Sequence, residues 1–396
     1  MRTKYKKKIK NGKEYYFLRL RHENLEKPKD IYAKTIKELE TKIKELNNLL
    51  DKGVNIKSER FKDIFENWLF NVKFLNIKNT SKELYMNAYN AHIKNKPIMK
   101  IKLIELNREK TQELYNQLKK ENTGHEIFKI IHLLIKGFIR FAYDNDMIVK
   151  DFSRALILPK ESQDKKLEKN KKIHAMTRKQ EKIFIEYIKG HSMETIFLMA
   201  LFTGMRQSEI IALEWKDIDL KKCTININKI AKYQKIIKEN KENEYKILVQ
   251  TPKTKNSIRK IAFPKELGEK LKQHKKKQKE YKILSGGEYN KKDLVFCNRN
   301  GDYYIGGTIY TAFKICLKRI NERTKEEDEK LNDFTFHDLR HTYATRMFEL
   351  KTDPKTVQMI LGHSNISITL NTYTHVMKEV QTEAIEKLNE LYKELK

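Results

Sequence analysis

The chain has 396 residues, of which 39% are hydrophobic and 35% are charged, so it is long enough to form two or three globular domains. Its 84 lysines and arginines outnumber its 53 acidic residues, which leaves a net charge of +31 spread along the whole chain. Such an excess indicates a polyanionic partner, most often nucleic acid; an acidic membrane surface is the lesser option, and a generally lysine-rich composition is the plainer explanation.

The sequence also argues against several classes of protein. No run of about 18 apolar residues occurs and the first residues are rich in lysine, so neither a membrane span nor a secretory signal is predicted. Cys223, Cys297 and Cys316 are isolated, and no Cys/His metal spacing accompanies them, which argues against a disulfide framework and a structural zinc. We therefore expect the chain in a reducing cytoplasm.

Residues 1–55 are predicted to form a small β-β-β-α unit. The stretch "YKKKIKNGKEYYFLRLR" contains two alternating runs around Asn11-Gly12, a strong hairpin signal, and a third run leads to a capping box at Thr35. One face of the second run is apolar, and the other is aromatic and basic. The basic face suits a DNA major groove, with Arg19 and Arg21 as candidate DNA-contacting residues; a solvated outer face is the alternative.

Residues 56–158 are predicted to form an all-helical bundle with a lysine-rich exterior. Apolar residues recur at helical spacing from Phe61 to Val72, and residues 126–145 supply the most apolar helix of the segment. Trp68 and the neighbouring phenylalanines are interpreted as core residues rather than as base-stacking groups. Residues 159–175 carry many lysines and few apolar residues, which predicts a basic linker able to lie along phosphates.

Residues 176–396 are predicted to form a mixed α/β domain. Thr177 and Gln180 cap its first helix, strands follow between about 222 and 263, and helices continue to the end of the chain. The whole chain is thus expected to be multidomain and mainly α-helical, with small β elements. It contains neither a Walker loop nor the glycines of a Rossmann fingerprint.

Four separated stretches of the last segment contain the candidate site residues. They are Arg206 and Glu209 in "TGMRQSEI", Lys253, Lys255 and Arg259 in "TPKTKNSIR", His337 and Arg340 in "HDLRHTYAT", and His363 and Tyr373 in "LGHSNISITLNTYTHV". Taken singly, each has a plain alternative, since an Arg-x-x-Glu pair is usually a surface ion pair and a single histidine usually a hydrogen-bonded helix residue. Lys255 and Arg259 are also candidates for DNA contact.

Taken together, the four stretches match the chemistry of a phosphodiester. Two guanidinium groups can hold both non-bridging oxygens, imidazoles can donate hydrogen bonds or move protons, and a phenol can attack phosphorus beside cations or a base. Preorganised hydrogen-bond donors can stabilise the growing negative charge without a metal. Because no carboxylate cluster accompanies these residues, the sequence predicts neither a metal nor any other cofactor.

In order and wording, these four stretches resemble the signature boxes of the tyrosine recombinases, also called the phage integrase family. The β-β-β-α unit and the helical segment are similar to the arm-binding and core-binding domains of phage and conjugative-transposon integrases. The resemblance therefore covers nearly the whole chain, most strongly from residue 175 onward. It implies a mixed α/β catalytic domain over 176–396 that ends in a C-terminal helix.

The resemblance also implies a role for the charged residues and the nucleophile. Arg206 and Arg340 would clamp the scissile phosphate, and Tyr373 would attack it to give a 3′-phosphotyrosine. Lys253 would protonate the leaving 5′ oxygen as the general acid, with Lys255 as the nearby competitor for that role.

The remaining residues would assist this reaction. His337 would exchange a proton with the nucleophile, and His363 would hydrogen-bond the phosphate. Glu209 would orient the helix that carries the first arginine, whereas His341 and Tyr343 are expected to pack or to support the reacting residues rather than to take a direct part.

By resemblance, the function would be site-specific integration and excision of a mobile element in the bacterial cytoplasm. The partners would be double-stranded DNA, at core sites and also at arm sites, three further protomers in a homotetramer, and a directionality factor or DNA-bending protein. A chromosome-resolving or inverting recombinase, a topoisomerase-like relaxing enzyme, and a DNA-binding regulator that does not cut are the alternatives. The apolar stripe over residues 379–396 would dock on a neighbouring protomer, as in the family, or on its own domain.

Overall fold

The structure is a computed structural model that describes residues 4–396 except 24, 26–27, 52–58, 160–173, 238–242, 253–254, 368, 371–372, 374–384, 386–387, 390–391 and 394–396. The chain divides into two compact units. The first comprises Met1–Lys166 and Lys235–Glu244, and the second comprises Leu167–Gln234 and Tyr245–Lys396. The predicted basic linker lies almost wholly outside the described residues.

The first unit begins with an antiparallel sheet in the order β1 (Lys6–Lys10), β2 (Lys13–Leu20) and β3 (Lys29–Ala33). Asn11 and Gly12 have φ angles of 51° and 72°, which is the left-handed backbone that a two-residue hairpin turn requires. Helix α1 (Ile36–Leu50) begins where the Thr35 side chain accepts a hydrogen bond from the backbone N–H of Glu38 at 3.2 Å. The predicted hairpin and helix start are therefore confirmed.

The two faces of this sheet differ as the alternation predicts. Tyr16, Leu18 and Leu20 pack towards the buried apolar side chains of β3 and α1. On the opposite face, the Lys8 ammonium lies 4.8 Å from the centre of the Phe17 ring, and Arg19 Nε donates to Asp30 Oδ1 at 2.7 Å from the facing position of β3. An ion pair therefore already holds Arg19.

Four helices follow in the first unit: α2 (Phe61–Trp68), α3 (Asn79–His92), α4 (Arg108–Lys120) and α5 (His125–Asp144). Helix α2 is extended by one π-helical turn, Leu69–Lys73. The fully buried ring of Phe138 lies 5.1, 5.2 and 5.7 Å from the rings of Phe61, Phe65 and Trp68. Trp68 is thus a core residue, as the sequence predicts.

The chain from residue 178 onward, of which Lys235–Glu244 belongs to the first unit and the rest to the second, combines helices with two small sheets. Its elements in chain order are α6 (Arg178–Ile188), α7 (Glu194–Thr203), α8 (Gln207–Ile211), β4 (Ile218–Asp219), β5 (Thr224–Ile227), β6 (Ile230–Ile236), β7 (Glu244–Gln250), β8 (Arg259–Ala262), α9 (Lys265–Leu284), α10 (Gly306–Arg323), α11 (Asp338–Glu349) and α12 (Pro354–Leu361). Strand β5 pairs with both β4 and β8, and β6 pairs with β7. The capping box predicted for Thr177 and Gln180 opens α6.

Helix α7 is the central element of the second unit. It is apolar on nearly every side, with all residues from Ile196 to Leu201 buried, and it packs against α11. Gly204 ends the helix with a φ of 63°, and a Cβ atom there would lie only 2.6 Å from Cδ1 of Tyr343 on α11. The end of α7 is therefore held tightly against α11 by a close approach that only glycine permits.

The fold class agrees with the sequence at the coarse level, since the described chain is mainly helical with small sheets. The finer division into residues 1–55, 56–158, 159–175 and 176–396 stays a prediction. The described members of the C-terminal stripe, Ile385 and Leu388, are exposed, while Val380, Ala384 and Leu391 lie outside the described residues. None of the described helices is both long and apolar enough to cross a membrane.

We predict that Phe138→Ala lowers the free energy of unfolding of the chain by about 3–5 kcal/mol, because it leaves a cavity among three aromatic rings. Leu133→Ala, on the exposed side of the same helix, should change it by less than about 0.5 kcal/mol. Chemical denaturation followed by circular dichroism measures both values. Equal losses in the two variants would contradict the assignment of Phe138 to the core.

Candidate active site

The candidate site is built from the ends of helices in the second unit. Arg206 immediately precedes α8, two residues after the glycine that ends α7. His337 immediately precedes α11, whose first turn carries Arg340 and His341. Asp338 fixes this helix start, since its carboxylate accepts hydrogen bonds from the N–H and the hydroxyl of Thr335 at 2.6 and 2.7 Å.

The last turn of α12 binds three arginines. Arg259 Nε donates to the carbonyl of Ile360, Arg340 Nη2 to that of Leu361 at 2.7 Å, and Arg206 Nη2 to that of Gly362 at 3.2 Å. These three consecutive carbonyls lie at the negative end of the helix dipole, where cations are favoured. The turn ends at Gly362, which has a φ of 65°. A Cβ atom at that position would lie 2.9 Å from Arg259 Nη1.

Glu209 supplies the counter-charge for two of the arginines. Arg259 donates to it through both Nη atoms at 3.1 and 3.0 Å, and Arg206 donates from Nη1 and from its backbone N–H, both at 2.9 Å. Burial alone would raise the pKa of this carboxyl group, but the hydrogen bonds from Arg259 and the charges of Arg259 and Arg206 outweigh burial and lower it. Glu209 is therefore an ionised side chain with an exposure of only 2%.

Arg340 is the most enclosed cation of the site, with an exposure of 2%. Its Nη1 also donates to the carbonyl of Gly204 at 2.7 Å, so this arginine joins the end of α7 to the end of α12. Burial and the neighbouring charge of Arg206 lower the pKa of Arg340 to about 9. The guanidinium therefore remains charged at neutral pH without a carboxylate of its own.

Two histidines lie in this cationic field as neutral rings. Burial, His341 and Arg340 lower the pKa of His337 to about 4, although part of this side chain is exposed to solvent, which weakens the effect. Burial, Arg340 and Arg206 lower the pKa of His363 to about 3, and its Nδ1 lies 2.8 Å from the Thr369 hydroxyl. Both imidazoles are thus uncharged near pH 7 until an anion offsets the arginines.

Tyr373 is held inside an apolar pocket. Its exposure is 1%, its ring centre lies 5.3 Å from that of Phe348, and it clusters with Val357 and Leu361. Its hydroxyl lies 2.8 Å from Nδ1 of His341. Burial raises the pKa of the phenol, and the nearby Arg340 offsets only part of that effect. The phenol is therefore protonated and hydrogen-bonded at rest.

The geometry so far combines three arginines, neutral histidines and an enclosed tyrosine at one place, and comparisons with known proteins agree with it. The sequence profile of the phage integrase family matches residues 174–379. A protein of Caldanaerobacter subterraneus named "Tyrosine recombinase XerC-like" is 33% identical over 97% of this chain and 98% of its own length.

The chain belongs to the phage integrase family. It is thus a tyrosine recombinase, an enzyme that cuts and rejoins DNA through a tyrosine. The transposase of transposon Tn916 from Enterococcus faecalis is 29% identical over 48% of this chain, and the ICEBs1 integrase of Bacillus subtilis is 28% identical over 50%. The recombinase covers 44% and 49% of those two proteins, respectively.

Solved structures share the fold of this recombinase. The Tn1549 transposon integrase bound to circular intermediate DNA has a TM-score of 0.62 at 20% identity, with 84% of this chain and all of that chain covered. The lambda integrase tetramer on a Holliday junction has a TM-score of 0.55 at 16% identity, with 90% and 92% covered.

Arg206, Glu209, Arg340, His337, His363 and Tyr373 all lie in the second unit of the recombinase. Arg206 and Arg340 donate hydrogen bonds to the end of α12, and Glu209 is joined to it through Arg206. Lys253 lies outside the described residues, and so does the side chain of Lys255, whose backbone begins a one-turn helix. Arg19 and Arg21, in the first unit, are exposed. The catalytic and DNA-contacting roles of all these residues stay predictions.

Two residues take positions that the sequence did not indicate. Arg259, predicted to contact DNA, has a side chain that is only 7% exposed and is bonded to Glu209 and Ile360, so it is poorly placed to reach a DNA surface. His341, expected to pack or to support the reacting residues, contacts the hydroxyl of Tyr373. One signal was present in the sequence, because His341 is four residues after His337 and the two rings lie 5.0 Å apart on one helix face.

Among the residues that the structure describes, no group of three or more His, Cys, Asp or Glu side chains could hold a metal ion. The polar atoms of the site are instead engaged with one another. Its charge balance is cationic, since three guanidinium groups outnumber the carboxylates of Glu209 and Asp338 among the described residues. Such a site is suited to an anionic ligand.

We predict that Arg259→Lys slows DNA cleavage by about 10- to 100-fold while DNA affinity changes by less than about twofold. Lysine keeps the charge, but it cannot hold both oxygens of Glu209 and the Ile360 carbonyl at once, so Arg206 would lose its fixed position. Single-turnover cleavage and fluorescence anisotropy measure the two quantities. Arg319→Lys, an exposed exchange on α10, is the matched control. Wild-type cleavage by Arg259→Lys would contradict a positioning role.

Proposed function

We propose that this recombinase integrates and excises a mobile DNA element, either a phage or a conjugative transposon, with Tyr373 as the nucleophile. The observation that carries the proposal is the convergence of Arg206, Arg259 and Arg340 on the end of α12. The family membership supplies the reaction type, and the transposase and integrase names of the relatives supply the class of DNA. The small N-terminal sheet, suited to an arm-binding role, favours integration over simple resolution.

The phosphate would be bound by the two arginines with different roles. The side chain of Arg206 is 33% exposed, so its guanidinium can meet a DNA strand that enters from solvent. Arg340 is buried and fixed by two carbonyls, so it would act as a preorganised charge that does not need to move. His363, held by the Thr369 hydroxyl, would add a hydrogen bond to a phosphate oxygen.

In the cleavage step, the Tyr373 oxygen forms a bond to phosphorus as the bond from phosphorus to the 5′ oxygen breaks. The strand is then held as a 3′-phosphotyrosine, and Lys253 would donate a proton to the leaving 5′ oxygen. The phenolic proton must leave towards the side of α11, where we retain His337 as a proton-transfer group. A 5′ hydroxyl of a partner strand reverses the same step and rejoins the backbone.

This scheme explains why the reaction requires no nucleotide cofactor. The phosphotyrosine retains the energy of the broken phosphodiester, so rejoining is close to thermoneutral. The arginines and neutral histidines would stabilise the charge that develops on the phosphorane-like transition state, as a metal ion would elsewhere.

One protomer has one tyrosine and cuts one strand, so an exchange between two duplexes requires four protomers. The lambda integrase structure is a tetramer on a Holliday junction, and we propose the same assembly here, in the bacterial cytoplasm on DNA. Arm-site binding by the N-terminal sheet, a directionality factor or DNA-bending protein, and docking of the C-terminal helix on a neighbour belong to the same proposal.

We expect Tyr373→Phe to bind DNA with unchanged affinity and to form no covalent adduct, because only the attacking oxygen is removed. The substrate is a duplex with the joined ends of the element that encodes the chain, nicked beside each candidate cleavage position so that the released 5′ fragment diffuses away. Denaturing gels and peptide mapping identify the linked residue. Tyr310→Phe, an exposed tyrosine of the same unit, should still form the adduct. An adduct on the Tyr373→Phe chain would refute the assignment.

Because the proposed charge stabilisation uses arginines and histidines, cleavage of the same substrate should proceed at the wild-type rate in excess EDTA. The measurement is the single-turnover rate with and without chelator, followed by readdition of Mg²⁺. A loss of cleavage that Mg²⁺ restores would show that a divalent cation takes part.

A further inference from the structure

The contact between His341 and Tyr373 has no place in the reaction scheme described so far. Nδ1 of His341 lies 2.8 Å from the phenolic oxygen, at normal hydrogen-bond length, and the ring centres are 6.0 Å apart. The tyrosine has almost no exposure, so water does not compete for this contact. The atom that must lose a proton therefore already faces a ring nitrogen, which accepts that proton when the imidazole carries its own on Nε2.

We propose that His341 is the catalytic base that accepts the phenolic proton of Tyr373 during DNA cleavage, an inference that rests on the proposed function. The nucleophile would therefore be deprotonated by the second histidine of the "HDLRH" stretch. His337, the first histidine, would contact His341 and not the phenol itself. This assigns a direct part in the chemistry to a residue that the sequence predicted to pack or to support the reacting residues.

The positions of the two histidines support this order. The His337 and His341 rings meet edge to face at 5.0 Å, with an angle of 87° between their planes. His341 contacts both His337 and the enclosed tyrosine, whereas His337 is exposed to solvent. Of the two histidines, His341 is therefore the one described in contact with the phenol, and the ring contact sets the orientation of His337 against it.

Burial, more than the charges around His341, keeps this histidine neutral before DNA binds. Asp338, Arg340 and His337 face it from its own helix, His363 from the segment after α12, and Tyr373 from the segment beyond. Burial lowers the pKa of His341, which Asp338 opposes and Arg340 reinforces, while burial raises the pKa of Tyr373. At rest the pair is thus a neutral phenol and a neutral imidazole.

A bound phosphate changes this balance in one direction. Its negative charge offsets Arg340, the neighbouring charge that opposes an imidazolium at His341. The pKa of His341 then rises at the moment when the phosphate is in place. The Tyr373 oxygen attacks phosphorus, its proton moves to Nδ1 of His341, and the 5′ oxygen leaves with a proton from a cationic general acid, for which Lys253 is the predicted group. Rejoining reverses each transfer.

The test uses asparagine at position 341, because the amide oxygen takes about the place of Nδ1 and can accept the hydrogen bond but cannot carry the proton. We expect His341→Asn to bind the nicked duplex with unchanged affinity and to form the Tyr373 adduct about 10²-fold more slowly. The wild-type rate should fall below the pKa of the base, and this acid limb should be absent from the pH profile of His341→Asn. His337→Asn, the matched control one turn away, should retain an acid limb.

A second measurement tests the contact without DNA cleavage. With 3-fluorotyrosine at position 373 alone, the ¹⁹F signal should shift in His341→Ala and stay close to wild type in His337→Ala. An adduct formed by His341→Asn at or above the wild-type rate, with an unchanged pH profile, would overturn this inference and leave the proposed function intact. If the wild-type chain forms no adduct at Tyr373, the proposed function fails and the inference with it.

Discussion

The last turn of α12 is the element on which the site depends. Three arginines from three distant parts of the chain would repel one another in a partly buried site, yet each donates to one of three consecutive carbonyls there. These carbonyls have no partner within the helix, and the helix dipole gives them a partial negative charge. One carboxylate, Glu209, completes the set. The site thereby collects positive charge without neutralising it, which leaves room for the charge of a phosphate.

Two glycines both end helices of the fold and supply carbonyl groups that hold the arginines of the site. Gly204 and Gly362 end α7 and α12 with left-handed backbone, and their carbonyls accept hydrogen bonds from Arg340 and Arg206. Side chains at these positions would meet Tyr343 or Arg259. Each helix therefore ends at a glycine whose carbonyl accepts a hydrogen bond from an arginine of the site. Arg340 also connects the C-terminal end of α7 to that of α12. A shift of α12 would move the arginines and His363 together, so the site behaves as one rigid group.

The sequence predicted most of the local structure because local signals determine it. Asn11-Gly12 requires a left-handed turn, Thr35 and Thr177 cap helices through their own side chains, and Phe138 lies on an apolar helical face. The place of Arg259 could not be predicted in this way. Beside lysines in the sequence, it is indistinguishable from a DNA-contacting residue, and its burial arises from Glu209, 50 positions away, and Ile360, 101 positions away. Sequence signals identify residue types and periodicity, but they do not identify which carbonyl a side chain reaches.

The same reasoning explains why the proposed nucleophile, Tyr373, is enclosed rather than exposed. A phenol is unreactive while protonated, and burial together with the nearby arginines lowers the pKa values of His341 and His363. The chain without DNA therefore lacks both an ionised nucleophile and a charged acid among these rings. A bound anion would supply both missing groups, because its charge beside Arg206 and Arg340 favours the imidazolium form of each histidine. Reactivity is then a property of the complex with a phosphate and not of the protein alone. For an enzyme with a net charge of +31, which encounters DNA backbone at every sequence, the proposed mechanism would restrict strand scission to phosphates that fit the arginine site.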